Sequence, residues 1–415
     1  MTQIFPLYDA IVVGAGVAGT AAAILLAKAG LSVSLVDPKR SMTDHKSLCT
    51  HFVQPVGNHV FADLGASDLL GPECSIATQA KFFVPGGTID APTGYGKDDI
   101  HSSAHNLERR VMDPLLRQLA AANGVDIKLA TRVIGLERSD DLFTAHMDGA
   151  QAGSVRARYV IAADGRMSDI ARLVAAPTQT TPNDRFAYFI YGHGIAAPQD
   201  NRSLFVLNNA EMSFLYPLIG ERTLLSVYVK SDSFGDWGTG RTRVDHLIDQ
   251  FKRHLPDVDF NGFTPQTPVM GYKRYDNQLR PAVTNDIAFV GDAALSLDPM
   301  SGVGCSFGLM SARFLADAIG RHGPDRNAAL AEYETAHAEF FSPHASGIMA
   351  DARVAKSEET SRKIYATILQ DDRLKQRYLD LTGRLVTPSQ FQKSYLVGAA
   401  KQAAAQQKRA MEPAT

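Results

Sequence analysis

Apolar and polar positions along the chain fall into three regimes. Residues 8–13 form a short apolar, β-branched run, an alanine-rich helical stretch follows as far as Gly30, and residues 31–36 form a second β run. Residues 158–162 and 287–290 are two further buried β runs, the last followed by a long helical pattern to Ile319. Strand and helix alternation of this kind predicts an α/β fold. Between Asp184 and Met270 the pattern changes to successive β runs, at 186–191, 204–207, 213–218 and 223–230, which implies an antiparallel sheet. Residues 79–96, with Phe82, Phe83, Gly86 and Gly87, are expected to add strands to it. Past about Phe341 the chain turns helical again through Leu396, with charged faces at 351–363 and 371–380 that read as solvated sides of a cap or an oligomer contact. The Ala/Gln/Lys-rich tail, 399–415, is expected to be a frayed helix or disordered.

Composition narrows the class. The chain has 415 residues, 45% hydrophobic and 21% charged, enough to bury a large core divided into two or three lobes. Lysine and arginine total 42 against 44 aspartate and glutamate, so no net field favours nucleic acid or an anionic membrane, and a small-molecule partner is expected. The three cysteines, Cys49, Cys74 and Cys305, are too few and too scattered for a disulfide framework or a four-thiolate metal site, and they fit a reducing, cytoplasmic setting. The apolar stretch 10–26 has no basic residue before it and is interrupted by three glycines, so it reads as strand, turn and buried helix and not as a leader or membrane span.

Three separated signatures carry the chemistry. The first is Gly14-Ala15-Gly16-Val17-Ala18-Gly19, between the first β run and the first helix. Gly14 permits a tight turn, Gly16 lets backbone approach a pyrophosphate, Gly19 lets helix pack on strand, and the phosphate charge meets the positive helix end. Asp37 closes the second β run about twenty residues on, where a carboxylate can accept from both ribose hydroxyls. The second signature is Asp164-Gly165-Arg166-Met167-Ser168. The third is Gly291-Asp292-Ala293-Ala294, then Asp298-Pro299-Met300-Ser301-Gly302-Val303-Gly304 before the long helix.

The second and third signatures resemble the Asp-Gly and Gly-Asp motifs of the class A flavoprotein monooxygenases, the p-hydroxybenzoate hydroxylase-like family. The resemblance spans most of residues 1–320. It implies a Rossmann-type FAD-binding domain of discontinuous segments (1–78, 101–180 and 276–342), an antiparallel β-sheet substrate domain (79–100 and 181–275) and a C-terminal helical region (343–415). By the same resemblance Asp292 binds the ribityl chain, and Pro299, Gly302, Val303 and Gly304 place backbone at the flavin pyrimidine ring. Charge on the reduced ring would be met by free N–H groups and the helix dipole, worth about 0.3 to 2 kcal/mol. Asp164 and Gly165 belong to the same set, Val133 stands where family backbone meets adenine, and Arg110 is preferred to Arg109 as the arginine beside flavin or pyrophosphate because an aspartate follows it three residues later. The motif departs from the family at Ala171, where an arginine is usual and Arg172 follows instead, which leaves an arginine role there open.

Neither a catalytic triad, a metal cluster nor a second dinucleotide turn is evident, so the hard chemistry is expected of the flavin. The resemblance implies a monooxygenase: NAD(P)H as transient reductant, molecular oxygen added as a C4a-hydroperoxide, and hydroxylation or epoxidation of a small aromatic or polyketide-like substrate of secondary metabolism. Two branches on the same scaffold compete, the geranylgeranyl-reductase-like dehydrogenases and the flavin-dependent halogenases. Leu295, where hydroxylases often carry histidine, and the segment 298–304 lean toward those branches, while the single tryptophan, Trp237, lacks the halogenase tryptophan-rich motif. A non-catalytic escort protein is the remote alternative. Tyr191, His193, Phe214 and Tyr216 are candidates to line a substrate pocket, and His51 and Gln54 return toward the flavin; no catalytic side chain is singled out.

Overall fold

The computed structural model describes residues 5–90, 94–96, 98–208, 211–353 and 357–411. Strand Leu7–Val13 lies at the centre of an eight-stranded sheet, parallel to Val33–Val36 on one side and to Gly153–Ala162 on the other. Asp126–Lys128 continues the parallel array beyond the first of these, and Ile287–Phe289 beyond the second. Three β runs distant in sequence thereby become neighbours. Their inner residues are apolar without alternation because both faces of a parallel sheet are covered; helices Val17–Lys28, Arg109–Ala122 and Gly304–His322 pack together with them in one core. Strand Gly153–Ala162 begins earlier than the run at 158–162 shows. Its first half alternates exposed and buried as the outer arm of a meander with Leu142–Gly149 and Thr131–Ser139.

The second eight-stranded sheet runs in the order Thr264–Pro265, Arg185–His193, Arg222–Lys230, Glu211–Leu218, Ser203–Leu207, Ala80–Val84, Gly87–Ile89, with Met270–Tyr272 also paired to Arg185–His193. It is antiparallel except where Ala80–Val84 runs parallel to Ser203–Leu207. Side chains alternate between two buried faces. Phe186, Tyr188 and Ile190 face helix Gly240–His254 with Trp237, Leu247 and Phe251. Ala187, Phe189 and Tyr191 share the opposite face with Phe82, Phe205, Phe214, Tyr216 and Tyr228.

Helices Glu358–Leu369, Asp372–Thr382 and Pro388–Met411 cover that aromatic face, contributing Ile368, Leu374 and Leu379. The helical region is therefore a cap, and the tail is helical as far as Met411. A break expected near 342 falls instead inside one 28-residue helix, Arg326–Arg353. Pro343 sits within it, but Phe341, Ala345 and Ile348 are packed into the core on either side, and this packing carries the helix through. Among the described residues no helix is long and apolar enough to cross a membrane.

Candidate cofactor and substrate site

The three signatures meet at the carboxyl ends of the parallel strands, the usual place for a ligand on such a sheet. Gly14 has φ +113°, and a Cβ there would stand 2.3 Å from the Ala163 carbonyl oxygen and 2.8 Å from the Asp164 nitrogen. The first and second signatures are thus in backbone contact. Gly19 packs on Gly14 and Ala163, while Val17 is buried in the first helical turn. A Cβ at Gly291 would stand 2.7 Å from that of Ala18, which joins the third signature to the same helix. Asp37 is buried and accepts from the Ala15 N–H at 2.5 Å and the Lys39 N–H at 2.7 Å, so the carboxylate braces the glycine turn. Val133 is buried on the strand entered at Thr131, whose N–H donates to the Asp37 carbonyl at 3.1 Å. Arg117, fully buried, donates to the carbonyls of Ala15, Met42 and Asp44 and ties the glycine turn to the loop after Asp37. Sequence reasoning missed it; its one local signal is a charged residue on a buried face of an amphipathic helix.

Pro299–Ser301 is a single helical turn capped by Asp298, whose carboxylate accepts from the Met300 N–H at 3.1 Å. Gly302 follows in the left-handed region, Val303 caps helix Gly304–His322, and Asp292 lies beside Gly304 with Lys46 Nζ 3.6 Å from its carboxylate. Residues 49–54 cross over this loop: the Gln54 N–H donates to Ser306 Oγ at 2.8 Å, and its side-chain amide points at the Ser301 carbonyl, 3.4 Å away. Cys49 and Cys305 face one another at the head of the helix. The neighbouring Cys305, with His51 and Arg109, brings the Cys49 thiol well down, while the Cys49 sulfur and burial push the Cys305 thiol up.

Two assignments change. Arg109 is the more buried of the two arginines, 7% exposed, and forms a double hydrogen bond with Asp113 at 2.6 and 2.9 Å. The aspartate that favoured Arg110 lies four residues from Arg109, one helical turn, and pairs with that residue. Arg110 is half-exposed and bonded to Glu108, which Arg222 also holds. His193 lies at the end of its strand, its ring meeting the Glu221 carbonyl and the Gln266 side chain. Tyr191, by contrast, meets His51 at 2.5 Å, and Phe214 and Tyr216 lie in the aromatic wall beside Phe52. Burial pushes the Tyr191, Tyr216 and Tyr228 hydroxyls upward, so the wall stays uncharged.

The pocket at the strand ends has the character of an FAD cradle. Asp164 Oδ1 and Gln54 Oε1 are buried without a partner, and burial pushes the Asp164 carboxyl up against hydrogen bonds from Ile170 and Ser168. A Cβ at Gly16 would meet nothing within 4 Å, so the turn opens on free space, and the first N–H groups of two helices point there. Residues 7–342 match the family described as FAD binding domain. The chain belongs to that family. This flavoprotein is an FAD-dependent oxidoreductase with the fold of the class A monooxygenases, near their halogenase and geranylgeranyl-reductase branches. Among curated relatives it is similar to digeranylgeranylglycerophospholipid reductase 1 of Methanococcoides burtonii, 27% identical over 75% of each chain. The corresponding reductase of Methanosarcina mazei is also 27% identical, over 72% of this chain and 71% of that one. Among solved structures, p-nitrophenol 4-monooxygenase of Pseudomonas putida superposes with a TM-score of 0.78 at 17% identity, covering 93% of this chain and 100% of that one. A flavin-dependent brominase superposes at 0.74, with 17% identity, covering 97% and 100%. At these identities the two structures share the fold.

Proposed function

We propose that this flavoprotein is a reductase that saturates carbon–carbon double bonds of an apolar, isoprenoid-like substrate, with NAD(P)H as transient reductant. The observation that carries the reading is the Cys49–Cys305 thiol pair, set between the 298–304 loop and an aromatic wall. Bound FAD supplies two electrons as hydride. The chain would supply the rest: Phe205, Phe214 and Tyr216 would hold an apolar chain out of water, and the Cys49–Cys305 pair would give up its proton to the substrate carbon, with the Arg109 guanidinium nearby to hold the charge left on sulfur until solvent restores the proton. Hydride plus proton completes the saturation of one double bond. A reactive thiol also fits hydride chemistry better than oxygen activation, because peroxides drive thiolates up the oxidation ladder. The reductases among the curated relatives support the same reading.

The same reading assigns FAD to the converging signatures. Gly14, Gly16, Val17, Ala18 and Gly19 hold the pyrophosphate, Asp37 the ribose, Val133 the adenine, Asp164 and Gly165 the inner edge of the turn. Gly291 and Asp292 hold the ribityl chain, and Pro299, Gly302, Val303 and Gly304 the pyrimidine ring, with Arg109 in the place first given to Arg110. A second reading, an NAD(P)H-driven monooxygenase using molecular oxygen, is favoured by the helical cap, since closing the aromatic wall from water suits oxygen chemistry. The two separate in one experiment. Purified protein is supplied with NAD(P)H and a geranylgeranyl lipid with and without oxygen, and products are weighed by mass spectrometry. Saturated product formed at full rate without oxygen is expected; product carrying an oxygen atom, with oxygen consumed one for one, overturns the reductase in favour of the oxygenase.

A further inference from the structure

One residue in the crossing at 49–54 is held from every side. His51 is 4% exposed and has φ 60°, in the left-handed region that bulky side chains avoid. Its ring Nδ1 accepts the Arg109 backbone N–H at 3.0 Å. That bond leaves the ring proton on Nε2, 2.5 Å from Tyr191 Oη, and the Tyr191 hydroxyl in turn donates to the Cys49 carbonyl at 3.0 Å. The circuit therefore begins at Arg109 and ends on the residue two before His51. The His51 backbone is engaged as fully. Its N–H donates to Cys49 Sγ at 3.3 Å, and its carbonyl accepts the Leu107 N–H at 2.9 Å.

We propose that His51 and Tyr191 are positioning residues for Cys49: ring and phenol anchor both ends of segment 49–51 so that the His51 N–H stays on Cys49 Sγ and keeps the sulfur aimed at the head of helix Gly304–His322 in its reactive form. Backbone N–H donors stabilise a thiolate as they do other anions. Here the donor stays in reach only while the peptide plane between Thr50 and His51 keeps its orientation, which the Tyr191 hydroxyl on the Cys49 carbonyl holds from one side and the anchored His51 ring from the other. Four hydrogen bonds, two from the ring and two from the backbone, offset the strain of the left-handed conformation at His51. Tyr191 acts on Cys49 through its carbonyl and the backbone that follows, while the His51 ring also stands close enough to act on the sulfur directly.

The inference does not depend on which reaction the flavin performs, since thiol reactivity is read without turnover. FAD-loaded protein is treated with iodoacetamide across a range of pH, and each cysteine is followed through its own peptide by mass spectrometry, with Cys74, outside the network, as internal reference. Tyr191→Phe keeps the ring and removes both hydroxyl bonds; it should slow Cys49 alkylation near neutral pH by about threefold or more and move the profile to higher pH. His51→Gly, which accepts the backbone conformation but not the ring bonds, should slow it by about tenfold, and His51→Asn, tolerant of the same conformation and able to donate to Tyr191, should recover part of the loss. Unchanged Cys49 rate and profile in Tyr191→Phe, with flavin absorbance and thermal midpoint as in the parent, overturns the proposal. So does a parallel change at Cys49 and Cys74, which marks general loosening. Should His51→Gly fail to fold, Tyr191→Phe decides alone.

Discussion

The cofactor core and the substrate sheet are built by opposite means. In the core, small residues bring backbone against backbone: Gly14 against Ala163, Gly19 against Gly14, Gly291 against Ala18. A single methyl group is too large at each contact. In the sheet, bulk does the work, with the rings of Phe82, Phe205 and Phe214 at successive centroid distances of 4.9 Å and Tyr216 a further neighbour of Phe205 at 5.4 Å. Backbone contacts admit one residue type, whereas a packed wall admits many combinations of equal volume. The core therefore writes itself into short motifs, and the wall writes none.

The comparison can be broken at its strongest point with Gly14→Ala. The new Cβ would strike the Ala163 carbonyl in a conformation that already disfavours side chains, and a loss of at least about 5 kcal/mol together with bound flavin is expected, read from visible absorbance and urea unfolding. Phe214→Ala is the matching change in the wall. It should remove about 3 to 5 kcal/mol in the same unfolding assay yet leave the flavin spectrum in place. Retention of flavin by the first variant, or its loss from the second, would erase the distinction. Acid sharpens it further, since the ionisable groups of the wall are tyrosines, neutral at low pH, while burial lowers His105, His337 and His344 from 6.5 to about 4. Between those values the unfolded chain takes up protons that the folded protein refuses. Stability should be full above about pH 6.5 and fall toward pH 4, by up to about 2 kcal/mol per histidine at pH 5, and His337→Phe should flatten the decline in unfolding midpoints. The smallest effect belongs to Arg172→Ala, which removes an exposed pair with Asp169. Less than about 0.5 kcal/mol and no change in flavin content are expected; a loss of flavin would restore an arginine role beside the Asp-Gly motif.

The α/β core was legible from β-branched runs interrupted by glycine at fixed offsets, because each of those glycines answers a local steric demand. The strands of the second sheet were legible too, but not the parallel pairing of Ala80–Val84 with Ser203–Leu207, which joins residues over a hundred positions apart and leaves no local trace. Helical spacing read at four residues instead of three would have selected Arg109 through Asp113. His51 and Arg117 gave less purchase. Their partners come from segments far from them in the chain, so only the folded arrangement distinguishes them from ordinary buried polar residues. The division expected at 342/343 falls inside a helix, since packing on both sides of Pro343 overrides the local preference to stop there.

Arg185 opens the first long strand of the aromatic sheet, and its guanidinium reaches both the Asp298 carboxylate at 2.7 Å and the carbonyl of Asp351 near the end of the 28-residue helix. Asp298 is 1% exposed and caps the turn that leads to Gly302. Three bodies are pinned at one planar group. The guanidinium thus makes the edge of the aromatic sheet, the turn before Gly302 and the end of the long helix answer to one charge, so that neutralising it would loosen all three together.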